Sequence, residues 1–295
     1  MNFKSGQELL ELCEAGGMSI SEVMLERECT EGEMPKEEAI AKMHRALEIM
    51  RDSANAALKD PTKSMGGLIG GEAQKVRQRL GAENTAAGDL ITSAIAYALS
   101  VLEVNAQMGL IVAAPTAGSS GVIPGVLFAL QDKYKFADDQ LVTALFNAGA
   151  LGFLAMRNAT VAGAVGGCQA EIGVASAMAA SAAVELLGGE PRQCLDAAST
   201  VLMNMLGLVC DPVGGLVEYP CQNRNAAGVA NALTAAEMAL AGIRQLIPFD
   251  EMLDIMYKVG RGLPRELRET ALGGCAISAS ACSACRSGSG CGTEI

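Results

Sequence analysis

Apolar side chains recur along the chain at the three- and four-residue spacing of amphipathic helices. The clearest stripe consists of Ile40, Met43, Leu47 and Met50. Its steps of three, four and three residues keep these side chains on one helix face. Because proline is favoured in the first turn of a helix, the pattern predicts a helix from about Pro35 to Lys59.

Two shorter helices are predicted ahead of it from their capping residues. Each begins with a serine that is followed three residues later by a glutamate, the pairs being Ser5 with Glu8 and Ser19 with Glu22. This is the spacing of a capping box. Residues 1–62 are therefore expected to form a segment of charged, amphipathic N-terminal helices.

From about residue 63 charged residues become sparse, and apolar stretches alternate with loops rich in Gly, Ser, Thr, Asn and Pro. Helices are predicted over 84–106, 138–156, 169–187, 191–207, 222–246 and 250–261. The loops between helices include 63–73, 114–125, 157–171 and 210–228. No stretch alternates apolar and polar residues as a strand would. The fold class is therefore predicted to be all-α, with a single helical core over residues 63–274 and Gly-rich loops between its helices.

The last stretch, residues 275–295, differs in composition from the helical core. It is rich in Gly, Ser and Ala and carries four cysteines, which are Cys275, Cys282, Cys285 and Cys291. Such a terminus is expected to be a flexible tail unless another part of the chain holds it.

Composition refines the helical prediction. Half of the residues are hydrophobic, but only 3% are aromatic and tryptophan is absent. The apolar content is therefore mostly Ala, Leu, Val, Ile and Met. This mixture favours helices that pack closely through small side chains.

The charge balance bears on partners and location. The formal net charge is −11, from 33 acidic and 22 basic residues, and no basic stripe is evident, so nucleic acid is not an expected partner. Glu8, Glu11 and Glu14 interrupt the region where a signal peptide needs an apolar run. The most apolar later stretch is short for a membrane span. The chain is therefore expected to be cytoplasmic and soluble, with no membrane partner.

The chain has a single histidine, His44, which narrows the possible chemistry. Hydrolase triads and histidine-rich metal sites both need imidazole. His44 lies beside Met43 in the apolar stripe of a charged helix. It is interpreted as a half-buried structural residue.

Ten cysteines are many for a chain expected in the reducing cytosol, where disulfide frameworks are rare. Cys168, Cys210 and Cys221 lie in Gly-rich loops, which let a backbone approach an inorganic centre. Three buried free thiols that pack as small hydrophobes are an equal alternative on placement alone. If they bind metal, three thiolates without a nearby histidine suit a [4Fe–4S] cluster with one open iron better than structural zinc.

Three stretches resemble a known family. They are "NAQMGLIVAAPTAGSSGVIPGVLF", "GAVGGCQAEIGVASAMAASAAVE" and "NMLGLVCDPVGGLVEYPCQNRNAAGVANA". From about Lys63 to Gly274 the chain is similar to the α subunit of the iron–sulfur-dependent L-serine dehydratases, and the cysteine spacings of 42 and 11 match the cluster ligands of that family. The resemblance implies an all-helical catalytic domain and a [4Fe–4S] cluster held by Cys168, Cys210 and Cys221. It also implies conversion of L-serine to pyruvate and ammonia without pyridoxal phosphate.

The resemblance also suggests substrate contacts in two loops. In "TAGSSG", Thr116, Ser119 and the backbone of Gly118 are candidates to bind the substrate carboxylate, with an ordinary capped turn as the alternative. In "KSMGGLIGG", Ser64 precedes glycines able to form an anion nest. Lys63 is a candidate base if it is desolvated, and otherwise a carboxylate partner or a solvated side chain.

Two further positions lie on either side of the first cysteine loop. Asn158 resembles a family position and is expected to face the substrate. Glu171 is expected instead to cap the helix that follows Cys168.

The chain departs from the family pattern in two ways. The regulatory or β portion is missing, which implies a separate β subunit as partner. The tail sequence also differs, and by analogy with single-chain relatives one tail cysteine is a candidate ligand of the open iron; a disordered tail is the alternative. Cysteine desulfidation, threonine dehydration and a non-catalytic iron–sulfur redox or sensor protein are the competing functions.

Overall fold

Helices account for the regular secondary structure of residues 1–287, the part of the chain that the computed structural model describes. Across these residues the only β pairing is an isolated bridge between Cys210 and Arg268. The all-α prediction is confirmed.

Thirteen α-helices lie in the described residues. They are α1 Gly6–Gly16, α2 Ile20–Glu31, α3 Lys36–Lys59, α4 Glu72–Arg77, α5 Gly88–Ala106, α6 Val122–Tyr134, α7 Asp138–Asn158, α8 Gly163–Gly166, α9 Val174–Leu186, α10 Pro191–Met205, α11 Cys221–Leu240, α12 Phe249–Gly262 and α13 Ala279–Ser287. A π-helical turn, Gln169–Gly173, leads directly into α9.

The capping residues define the early helices as the sequence predicts. The Ser5 side chain accepts a hydrogen bond from the backbone N–H of Glu8, and Ser19 forms a full capping box with Glu22. Pro35 is the N-cap of α3. The ends of two later helices differ from the prediction: α11 stops at Leu240, because the chain turns at Gly242 with φ of 87°, and α5 starts at Gly88.

Helix α9 forms the centre of the core and has hardly any exposed surface. Every residue from Val174 to Val184 is buried, and α9 packs against α6, α7, α10 and α11. Its sequence, "VASAMAASAAV", is mostly alanine and serine, which lets four neighbouring helices approach it closely. This packing explains why so apolar a chain has so few aromatic residues.

The N-terminal helices are fastened to this core. Phe3 is fully buried and its ring meets Phe153 of α7 edge-on, with 5.6 Å between ring centroids. The backbone N–H groups of Gly6 and Gln7 donate to the carboxylate of Asp250 at 2.7 and 3.0 Å. This carboxylate, at the start of α12, therefore ties the first helix to the far end of the chain.

Two helices, α5 and α7, are long and apolar enough by composition to cross a membrane. In each, 67% of the apolar stretch is buried against the rest of the fold. Core helices of a helical domain have this same character.

The chain after α12 is ordered as far as the described residues extend. Gly274–Ile277 form a 3-10 turn that is followed by α13, and α13 packs on the turn at Val213–Gly215. The Cys275 N–H donates to Asp211 at 2.6 Å, so this part of the predicted tail is held. Cys291 lies outside the described residues.

Enlarging a side chain in α9 is expected to destabilise the protein. Ala179 is fully buried, and Ala179→Leu should lower the free energy of unfolding by about 1–3 kcal/mol because the core has no room for added carbon atoms. Ala56, on the exposed face of α3, is the control, and Ala56→Leu should change it by less than about 0.5 kcal/mol. Urea unfolding measures both, and equal effects would contradict the central placement of α9.

Candidate metal centre

Two of the three loop cysteines converge on one carboxylate. Cys168 lies immediately before the π-helical turn, and Cys210 lies in the connection between α10 and α11. The Glu171 Oε2 atom is 3.9 Å from the Cys168 Sγ and 3.7 Å from the Cys210 Sγ. The ligand atoms of these three residues all lie within 4.8 Å of one another, an arrangement able to hold a metal ion.

The site is closed on one side by the backbone of Gly163. A Cβ built there would lie 2.5 Å from the Glu171 Oε2 and 3.1 Å from the Cys210 Sγ. Any side chain at this position would therefore displace the carboxylate and crowd the thiol. This close approach of backbone to ligand atoms is the role expected of a Gly-rich loop.

The backbone of Cys210 is fixed from the other side by the segment after α12. Its N–H donates to the Leu267 carbonyl at 2.8 Å, and its carbonyl accepts from the Glu269 N–H at 2.7 Å. These bonds form the isolated bridge of the structure. The backbone of Cys210 is thus held through both its N–H and its carbonyl group.

Cys221 is the first residue of α11 and is also buried. Asn225, one turn later, is fully buried and donates from Nδ2 to the carbonyls of Cys221 and Gly118, at 2.9 and 2.8 Å. Its Oδ1 accepts from the Gly121 N–H at 3.1 Å. One amide side chain therefore joins the third cysteine to the turn at residues 116–121.

A buried cation lies beside the thiols. The Arg224 guanidinium is 3.3 Å from the Cys168 Sγ, donates to the Val209 carbonyl at 2.8 Å and pairs with Asp211 at 2.5 Å. Burial acts to lower the pKa of Arg224, but the interactions with Cys168 and Asp211 outweigh it and the pKa is raised. Arg224 therefore stays charged and favours negative charge on the cysteines.

The acidic groups of the site disfavour one another's ionisation. Hydrogen bonding to Cys168 and then burial raise the pKa of the Cys210 thiol. Burial, with a smaller contribution from the charge of Cys168, raises the pKa of Cys221 to about 12. Burial also raises the pKa of the Glu171 carboxyl. A cluster of buried thiols that ionise only with a counter-charge suits a thiophilic metal centre.

The turn in "TAGSSG" lies against Glu171. The Thr116 Oγ1 donates to the Glu171 Oε1 at 2.8 Å and lies 3.1 Å from the Ser119 Oγ. A Cβ added to Gly118 would be 3.4 Å from the same carboxylate oxygen. Thr116, Gly118 and Ser119 are thus brought to the cysteine site, with Ser119 fully buried.

The other predicted contacts point elsewhere. The Ser64 hydroxyl donates to Glu218 at 2.7 Å, and the Lys63 side chain is exposed. Asn158 is exposed at the end of α7 and donates to the Lys4 carbonyl at 2.8 Å. Among the hydrogen bonds and ion pairs of residues 1–287, none joins Lys63 or Asn158 to the cysteines.

Sequence reasoning missed several residues of the site. Glu171, expected to cap a helix, instead faces two cysteines. The sequence pattern suggested no role for three other residues of the site, Arg224, Asn225 and Asp211. The available signal was the density of polar residues in "CDPVGGLVEYPCQNRN", a loop between apolar helices, since polar groups buried there need partners.

Comparison with known proteins identifies the family. The sequence model described as "Serine dehydratase alpha chain" matches residues 15–276. A protein of Bacillus subtilis (strain 168) named "Probable L-serine dehydratase, alpha chain" is 47% identical over 276 residues, covering 94% of this chain and 92% of that protein. The "L-serine dehydratase, alpha chain" of Peptoniphilus asaccharolyticus is 43% identical over 274 residues, covering 93% and 94%.

Longer relatives match over the same region. An L-serine dehydratase of Escherichia coli (strain K12) is 38% identical over 283 residues, which are 94% of this chain but 62% of that protein. The family match over residues 15–276 includes all three loops that carry the site residues. The chain belongs to the serine dehydratase alpha chain family.

Proposed function

We propose that this chain is the catalytic α chain of a cytoplasmic L-serine dehydratase that converts L-serine to pyruvate and ammonia together with a separate β chain. The observation that carries the proposal is the convergence of Cys168, Cys210 and Glu171 in one buried site. The names of the Bacillus subtilis and Peptoniphilus asaccharolyticus relatives, both alpha chains of L-serine dehydratases, support the substrate and the partner.

The donor set fits a [4Fe–4S] cluster held by Cys168, Cys210 and Cys221. All three thiols are buried, Cys221 at the first residue of α11 and the other two in the loops before the π-helical turn and before α11, and Arg224 supplies a positive charge beside Cys168. The single histidine of the chain, His44, lies instead beside Asp139 on α7. When bound, such a cluster supplies an iron with an open position that acts as a Lewis acid toward the β-hydroxyl of serine.

The protein groups have two tasks in this elimination. The electron pair of the Cα–H bond becomes the new C=C bond, and the β-oxygen leaves with a proton as water. One protein group must therefore take the α-proton, and others must hold the substrate carboxylate. The aminoacrylate product then tautomerises and hydrolyses to pyruvate and ammonia.

Glu171 is proposed as the acceptor of the α-proton. Its carboxylate is the acidic oxygen nearest to Cys168 and Cys210 among the described contacts, and the Thr116 hydroxyl orients it. Lys63 is the base that the sequence suggests on condition of desolvation, but its side chain is exposed on a loop.

Substrate binding is proposed for the turn that lies on Glu171. The Ser119 hydroxyl and the backbone N–H of Gly118 lie in the same turn as Thr116, which donates to Glu171, and they are proposed to hold the carboxylate of L-serine. Exclusion of water from this partly buried turn would strengthen each of these hydrogen bonds. Thr116, Ser64 and Asn158 are left out of this proposed set, because each donates to another part of the chain.

The function is tested by anaerobic reconstitution of the chain with iron and sulfide in the presence of its β chain. We expect pyruvate from L-serine, with lower turnover of L-cysteine and L-threonine. Activity should be lost in air and should resist hydroxylamine, which traps pyridoxal phosphate. If hydroxylamine abolishes the activity and pyridoxal phosphate restores it, the iron–sulfur mechanism is refuted. If a cluster binds but none of the three amino acids is turned over, a redox or sensor protein is favoured.

Each proposed ligand is expected to be needed for the cluster. Cys168→Ser, Cys210→Ser and Cys221→Ser should each retain little iron and sulfide after anaerobic reconstitution, because two thiolates anchor the iron core poorly. Cys194, fully buried in α10, is the matched control, and Cys194→Ser should bind a normal amount. A variant with full iron and sulfide would remove that cysteine from the ligand set.

Replacing Glu171 should impair turnover more than cluster binding. Glu171→Gln is expected to lower kcat by about 10²-fold or more while iron and sulfide content stays normal, because the amide cannot accept the α-proton. Glu185→Gln is the control, since that carboxylate is bonded to Asn147 within the core. Loss of iron in Glu171→Gln would make Glu171 a ligand, and a collapse of kcat in Lys63→Ala alone would make Lys63 the base.

A further inference from the structure

The carboxylate of Glu218 is enclosed by a loop that is distant in sequence. The donors of this loop, in residues 64–68, form what we call the socket. Glu218 lies in the hairpin between Cys210 and Cys221 and is 2% exposed. Its carboxylate accepts three hydrogen bonds, from the Ser64 Oγ at 2.7 Å, the Gly66 N–H at 2.6 Å and the Leu68 N–H at 3.1 Å. This is the anion nest that the sequence suggested for a substrate, and a carboxylate of the chain itself fills it.

The loop is shaped around this carboxylate. A Cβ on Gly66 would lie 2.7 and 2.9 Å from the two carboxylate oxygens and 2.4 Å from the Leu216 Cδ1. The Ser64 Oγ, which donates to Glu218, also accepts from the Ile69 N–H at 3.3 Å. Residues 64–69 therefore contact the Glu218 carboxylate from several directions.

The socket alone compensates the charge of Glu218. None of the ion pairs found within residues 1–287 includes it, so its charge is balanced by N–H and O–H donors. A buried carboxylate that loses such donors is strongly destabilised. The hairpin is therefore held to the loop by an attachment that is costly to break.

Glu218 is connected to the first turn of α11, next to the third proposed ligand. Its carbonyl accepts from the Gln222 N–H at 3.0 Å, across the turn that begins α11 at Cys221. One residue earlier, Val217 approaches Gly118, with its Cγ1 3.7 Å from a Cβ built there. The position of the Glu218 carboxylate thus sets the position of the hairpin between Cys221 and the turn against Glu171.

We propose that Glu218 is a positioning residue. Its carboxylate anchors the hairpin between Cys210 and Cys221 to the 63–71 loop and thereby fixes the position of Cys221 in the candidate metal centre. The proposal deepens the proposed function, since it concerns a residue offered there as a cluster ligand. It also gives the Ser64 hydroxyl the task of holding Glu218.

The chain contains a matched control for this role. Glu103 of α5 is also fully buried and holds the other end of the same loop, where its carboxylate accepts from the N–H groups of Gly71 and Ala73, both at 2.8 Å. It is not part of the cysteine hairpin. Loss of Glu103 should therefore loosen the loop without releasing Cys221.

The test measures the alkylation rate of each cysteine in the full-length, metal-free chain by mass spectrometry. In Glu218→Ala we expect the Cys221 rate to rise by about tenfold or more, because loss of the buried carboxylate's hydrogen bonds favours local opening. Acetate should restore protection by filling the socket, whereas chloride should not. The Cys194 rate in Glu218→Ala, and the Cys221 rate in Glu103→Ala, should stay near those of the unchanged chain.

Glu218→Gln is the second variant if Glu218→Ala does not fold, as judged by circular dichroism. The glutamine keeps the size of the side chain, but its NH₂ group would face the N–H and O–H donors of the socket. Because two donors cannot form a hydrogen bond with each other, the hairpin should loosen and the alkylation rate of Cys221 should again rise. An unchanged Cys221 rate, an equal rise in Glu103→Ala, or a rise in Glu218→Ala that acetate fails to reverse would overturn the proposal. Because this readout uses no metal, it stands apart from a failure of the cluster or of L-serine turnover.

Discussion

The removal of ionisable groups from water at the ends of the core helices is the constraint on which the rest of this structure depends. Thiols, carboxylates and a guanidinium lie together around the loops of the site. A buried polar group without a hydrogen-bond partner would lower the free energy of unfolding by about 1–3 kcal/mol if it is neutral and by more if it is charged. Every loop that reaches the site therefore carries a polar partner for another loop. Asn225, Thr116 and Arg224 each bridge two segments in this way.

The small-residue core makes this arrangement possible. Because α9 exposes almost nothing and consists mainly of alanine and serine, the helices around it lie close together, and their connecting loops meet over the π-helical turn that introduces α9. Bulky aromatic side chains would separate the helices and with them the loops. The composition of the core and the geometry of the candidate metal centre therefore depend on each other.

The helices could be predicted because their signals are local. Ser19, Glu22 and Pro35 act within one turn of the backbone, and the all-α class follows from the absence of strand-like alternation. The partners of the site residues could not be predicted, because they lie far apart in sequence. Glu171 lies three residues after Cys168 in sequence, and this spacing is the same whether its side chain caps a helix or faces a cysteine. The tertiary fold places Gly163 and Thr116 against its carboxylate, and these contacts decide between the two roles.

The bond between Ser64 and Glu218 joins residues 154 positions apart, and this separation bears on how the protein is made. During synthesis from the N-terminus, the 63–71 loop leaves the ribosome long before the hairpin that fills it. Closing so large a loop carries a high entropic cost until the intervening helices have packed. The socket, and with it the position of the hairpin that leads into Cys221, is therefore completed late, after most of the helical scaffold has packed.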